Sequence, residues 1–249
     1  MTPGASSAQM SQCTSPDPAR AIIGCTAIIQ KSGPPDLMGA VYSTRGMAYQ
    51  KRGENDQAIA DFDQAIKLDP KNAISLRSRG DFYQAEGDYD RALQDYNQAI
   101  AIAPKNAEIF IQRGNAYMLK DDAMHAFRDY DQAIALNPKL VSAYANRGEA
   151  YRVQGETDRA IADFDLALKL EPKFAPALVS RGLAAEDKGD FPRAITDFTS
   201  AIRLDPKMVN AYDERARAFE QIGAHDKAQA DIAEAIKLDP SNPDLHKLQ

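Results

Sequence analysis

The sequence predicts an all-α solenoid of antiparallel helix pairs. Prolines recur every 34 residues, at Pro70, Pro104, Pro138, Pro172, Pro206 and Pro240. An Arg-Gly pair shares the period at Arg45-Gly46, Arg79-Gly80, Arg113-Gly114, Arg147-Gly148 and Arg181-Gly182, and the sixth copy reads Arg215-Ala216. An alanine ladder keeps the same step at Ala58, Ala92, Ala126, Ala160, Ala194 and Ala228. A fixed period in this range marks stacked units, each too small to bury its own apolar face.

Taken in chain order, residues 1–15 are Ser, Ala, Thr, Gln and Gly without an apolar face, and are expected to be disordered. Residues 16–38 are expected to hold one degenerate helix and a linker. Arg20–Ile29 overlies Gln57–Ile66 of the first full unit, with Asp17 or Ser15 as cap and Pro18 in the first turn. Pro34 and Pro35 place the linker at 32–38. Six units follow without insertion, at 39–72, 73–106, 107–140, 141–174, 175–208 and 209–242.

Within a unit, Tyr42 and Tyr49 mark one face of a first helix. Ala58, Ile59, Phe62, Ala65 and Ile66 form the apolar stripe of a second. Gly53 between them, like Gly87, Gly155, Gly189 and Gly223, suits a left-handed helix end. Asp121 holds that place in the third unit. The proline stops the second helix. A bulky residue at Ala92 or Ala160 is expected to cost about 1–3 kcal/mol by overpacking. Residues 243–249 form a short tail, in which Leu245 and Leu248 suggest the start of a cap.

Composition removes several functional classes. The 249 residues are 44% hydrophobic and carry a net charge of −6, with a pI near 5.2. An acidic chain without a basic stripe is no candidate for nucleic-acid binding. No apolar run approaches the roughly 20 residues of a membrane span. Two cysteines and three isolated histidines, His125, His225 and His246, supply neither a metal set nor a catalytic triad. Asp-x-Asp pairs occur at Asp61/Asp63, Asp129/Asp131 and Asp163/Asp165, but residues two apart on a helix diverge. No enzyme, metal or cofactor is expected.

The unit resembles the tetratricopeptide repeat, whose pattern is W-x2-L-G-x2-Y, A-x3-F and P. Tyr42, Leu76, Phe110, Tyr144, Leu178 and Tyr212 replace the tryptophan, and arginine replaces the leucine before the glycine. The resemblance implies a right-handed superhelix whose first helices line a concave groove. It also implies a noncatalytic scaffold that holds a protein or peptide there. Residues carried onto the groove are Arg77, Asp81, Ile111, Asn115, Ala145, Asn146, Glu149, Arg152, Val179 and Leu183. The middle of this set is apolar with amides, and the C-terminal end is acidic. It suits an extended segment, apolar in its middle and basic at one end. Some family members hold a C-terminal carboxylate with asparagines and cations. Here Asn115 and Asn146 match while the three cations are missing, so that mode is not expected. The alternative to a groove binder is self-association through the terminal repeats.

Two ladders remain. Asp61, Asp95, Asp129, Asp163, Asp197 and Asp231 recur with the arginines and suggest structural Arg–Asp pairs between helices, or else an anion-binding stripe. Cys25 falls where the full units place a core aromatic, and Cys13 precedes it by one short helix. Either Cys25 is a buried thiol and Cys13 a loose one, or the two form a disulfide contributing roughly 3 kcal/mol. The cysteine-containing helix and the Arg-Gly units are similar to those of exported bacterial repeat proteins. A disulfide implies a periplasmic or exported chain, and free thiols a cytoplasmic one. Met1–Gln12 has neither a positive start nor an apolar core, so no signal peptide is expected.

Overall fold

The computed structural model describes residues 6–242, and Leu245 and Leu248 lie outside them. Those residues form fourteen α-helices and no strand. They fall into two compact units that divide between Leu136 and Asn137.

The first unit holds α1 (Ser7–Cys13), α2 (Pro18–Ile29), α3 (Pro35–Lys51), α4 (Asn55–Leu68), α5 (Ala73–Ala85), α6 (Tyr89–Ile102), α7 (Ala107–Leu119) and α8 (Ala123–Leu136). Its start departs from the expectation of disorder over 1–15, because Ser7–Cys13 is helical. The cause is a capping box. Gln9 N donates to Ser6 Oγ at 3.3 Å, and Ser6 N donates to Gln9 Oε1 at 3.0 Å. Asp17 caps α2 by accepting from Ala19 N at 2.9 Å, with Pro18 in the first turn. Cys13 and Cys25 are joined as a disulfide with their Cα atoms 4.5 Å apart. Both are buried beside Ile28, Met38 and Val41. The linker is also shorter than 32–38. Helix α3 begins at Pro35, whose fixed φ and missing N–H suit a first turn.

The second unit holds α9 (Val141–Val153), α10 (Thr157–Leu170), α11 (Ala175–Asp187), α12 (Phe191–Leu204), α13 (Val209–Gln221) and α14 (His225–Leu238). Its cores gather the buried alanines around Phe164, Phe198 and Ile232.

The turn inside each of the six repeats contains one left-handed residue. Gly155 has φ +76°, and Asp121, its counterpart in the third repeat, has φ +58°. Asp tolerates that region better than most side chains, but less well than glycine. The glycine of each Arg-Gly pair has a different duty. It lies against the aromatic ring sixteen residues later, so that a Cβ on Gly182 would stand 2.5 Å from Phe198 Cε1. In the sixth repeat Ala216 takes this place and Ile232 replaces the aromatic ring. The absent methyl and the large ring thus occur together.

The Arg–Asp pairs lie within repeats, first helix to second, in bidentate form. Arg79 reaches Asp95 through Nε and Nη2, both at 2.8 Å, and Arg181 reaches Asp197 at 2.8 and 2.6 Å. Arg45–Asp61, Arg113–Asp129, Arg147–Asp163 and Arg215–Asp231 repeat the geometry. Nη1 of five of these arginines also bonds to the preceding helix pair, at Thr26, Asp63, Asn97, Asp165 and Thr199. One guanidinium therefore closes its own hairpin and sets the register of the next. Aromatic rings flank it where the tryptophan was replaced by Tyr or Phe, as with Tyr42 and Tyr49 around Arg45. The carboxylates hold the pKa values of Arg45, Arg79, Arg113 and Arg181 above the ordinary one, each chiefly through the bond to its own aspartate. With every guanidinium so occupied, the ladder is structural and offers no anion stripe.

Candidate functional site

The first helices carry the candidate residues, and the two units are taken separately. In the first unit, Arg77 and Asp81 lie on α5 four residues apart. Arg77 Nε and Asp81 Oδ2 are 3.9 Å apart, and both side chains are partly exposed. Asp81 also accepts from Tyr96 Oη at 2.8 Å, with Gln84 as a second acceptor at 3.3 Å. Burial raises the Asp81 pKa, and the Tyr96 hydrogen bond opposes the rise. On α7, Ile111 is only 4% exposed, so it belongs to the core rather than to a contact surface. Asn115 accepts from Tyr130 Oη at 2.8 Å, which commits its carbonyl oxygen. Tyr96 and Tyr130 each meet an acceptor at the same place of the first helix, Asp81 or Asn115, whereas the Phe62 and Phe198 repeats carry Met47 and Leu183 there; in the Phe164 repeat that place holds Glu149, which bonds Arg152. The two Tyr pairings are visible in the sequence as an acceptor fifteen residues before a hydroxyl-bearing ring in two repeats.

In the second unit, Ala145, Asn146, Glu149 and Arg152 lie on α9, all partly exposed. Val179 on α11 is 7% exposed and joins the core, while Leu183 one turn on is partly exposed. Arg152 ties two helices together. It donates to Glu149 at 2.7 Å and to Asp187 of α11 at 3.2 Å. Farther along, Arg217 of α13 holds Asp213 at 3.0 Å and lies 4.0 Å from Glu214. Glu186 of α11 sits among these groups. Burial first and the Glu214 carboxylate second push its pKa up to about 7, against the pull of Arg217. Burial likewise raises Glu214. Five carboxylates, those of Glu149, Glu186, Asp187, Asp213 and Glu214, thus converge from α9, α11 and α13 on two guanidiniums. The excess is negative and partly desolvated, an arrangement that favours an incoming cation.

Among the described residues no group of His, Cys, Asp and Glu is placed to hold a metal ion. The Asp-x-Asp pairs diverge, since Asp61 serves Arg45 and Asp63 serves Arg79. His125 bonds Asp122 and stacks on Tyr117, and His225 bonds Glu220. His246 lies outside the described residues. No described helix is long and apolar enough to cross a membrane.

Helix hairpins stacked at a fixed period, with side-chain-lined first helices, define a helical-repeat scaffold. The chain belongs to the tetratricopeptide repeat family, whose models match residues 43–107 and 179–243, and separately 141–174. It is a noncatalytic protein-interaction scaffold. Solved structures agree on the fold. A MamA protein is 28% identical with a TM-score of 0.55, covering 70% of this chain and 94% of its own. PilW, a type IV pilus biogenesis factor, is 23% identical with a TM-score of 0.74, covering 84% and 97%. A tetratricopeptide repeat protein from Parabacteroides merdae is 21% identical with a TM-score of 0.77, covering 97% and 94%. No curated protein matches the sequence.

Proposed function

We propose that the chain binds an extended segment of another protein along its first-helix faces, and that in the second unit this segment carries a basic residue. The convergence of five carboxylates on Arg152 and Arg217 supports this most directly. Asn146 supplies an amide for a peptide backbone, and Leu183 an apolar contact one helix on. In the first unit, Asn115 retains its amide N–H groups for the same purpose. An extended segment suits such a surface because its backbone gives affinity and its alternating side chains give specificity. The Cys13–Cys25 disulfide supports an oxidising compartment, periplasmic or exported.

A peptide-display selection on the intact chain tests this, run beside Glu149→Gln/Glu214→Gln. Wild-type enrichment of segments with Lys or Arg near apolar residues, reduced by the double substitution, is the expected result. Equal enrichment on both proteins contradicts it. Self-association through the terminal repeats is the alternative, and a mass that rises with concentration in sedimentation, with no peptide enriched, favours it.

A further inference from the structure

Beyond the α9–α11–α13 face, the first unit contains a second recess with its own chemistry. A cavity of about 230 Å³ opens between α3 and the connection from α1 to α2. Pro16, Pro18, Ala21, Met47 and Ala48 give it apolar walls, and Lys51 is the one charged residue in its lining. Its volume lies below the roughly 300 Å³ at which small-molecule pockets begin, and is ample for an aliphatic side chain. Cys13 lines it as well, so the wall formed by residues 14–18 is anchored to α2 by the disulfide. Thr44, Met47 and Lys51 occupy successive turns of α3, the first helix of the first repeat. The recess therefore ends a first-helix face in a half-open, largely apolar hollow with a cation in its lining.

We infer that this recess is an anchor site. It takes one aliphatic side chain of a protein segment, with a carboxylate next to that side chain meeting Lys51. An apolar cavity selects the side chain by burial. The lone cation at its edge, with no carboxylate in the lining, selects an acidic neighbour over a basic one. The disulfide-held wall makes the site depend on the Cys13–Cys25 bond. None of this uses the α9–α11–α13 face, so the two sites fail or stand independently.

The test uses the oxidised full chain and the probe acetyl-Gly-Ser-Leu-Glu-Ser-Gly-amide, followed by the ¹³C-methyl signal of Met47 and by fluorescence anisotropy of a labelled copy. The Met47 signal is expected to shift saturably. Exchanging the probe's leucine for serine should weaken binding about tenfold or more. Exchanging its glutamate for lysine, or making Lys51→Glu, should weaken it about two- to fivefold. Thr44→Phe, which fills the mouth from a partly exposed position, should abolish binding without altering helix content. Cys13→Ser should also abolish it. An unshifted Met47 signal at millimolar probe, equal binding of the leucine and serine probes, or full binding to Thr44→Phe overturns the inference.

Discussion

Replacing Gly182 with alanine isolates the contact that joins the two helices of a repeat. The added Cβ would stand 2.5 Å from Phe198 Cε1 and 2.9 Å from Cδ1 and Cζ. Phe198 is fully buried, so the ring has no free volume to enter. Overpacking of this kind costs about 1–3 kcal/mol. Alanine recovers up to about 1 kcal/mol of helix propensity over glycine. A net loss of about 1–2 kcal/mol is expected, read as a lower urea midpoint with an unchanged slope. The sixth repeat shows the compensation, because Ala216 there shares a buried cluster with Ile232 in place of an aromatic ring. Phe198→Ile alone should destabilise by removing buried ring atoms. In combination with Gly182→Ala it should cost less than the sum of the singles by about 1 kcal/mol or more. Additivity within about 0.3–0.5 kcal/mol, or a Gly182→Ala protein as stable as wild type, would refute the steric explanation.

Other perturbations have distinct signatures in unfolding experiments. Asp197→Ala should cost about 3–5 kcal/mol, since it strips the bidentate partner from Arg181, whereas Arg181→Leu/Asp197→Leu should cost less than Asp197→Ala. Asn115→Ala should lose about 1–3 kcal/mol through the unpaired Tyr130 hydroxyl, and Tyr130→Phe in that background should restore most of it. Asp121→Gly should stabilise the first unit by about 0.5–1 kcal/mol, because φ +58° costs a glycine nothing. Glu186 gives a pH signature. Its folded pKa of about 7 exceeds the ordinary 4.5, so between these values the folded form holds a proton that the unfolded form has released. Stability from this group therefore falls as pH rises from about 4.5 to 7. After screening at a half-exposed site the change is about 1 kcal/mol, and Glu186→Gln should remove it from the pH profile.

The repeat architecture was legible because its determinants are local and recur. One period placed the turns, the alanine contacts and the proline stops, and an Arg and an Asp sixteen residues apart pointed to a pair. The third bond of Arg45, Arg79, Arg113, Arg181 and Arg215 was not legible, since it depends on how one hairpin sits on the one before it. The helix Ser7–Cys13 was missed because its composition is polar, although Ser6 and Gln9 spell a capping box. Among the groove positions, a family register places Cα atoms but not side-chain burial. Ile111 and Val179 accordingly fell in the core, and Asn115 proved half committed to Tyr130. The convergence of Glu186 with Glu214 and Arg217 joins residues about 30 apart in sequence, so only the stacking of first helices brings them together.

Backbone hydrogen exchange with and without a segment selected on the intact chain addresses the scaffold claim most directly. Binding along the first-helix face predicts that protection rises in α9, α11 and α13, together with a lowered pKa for Glu186 as a cation arrives. Protection confined to α10, α12 and α14, with Glu186 unmoved, would contradict it.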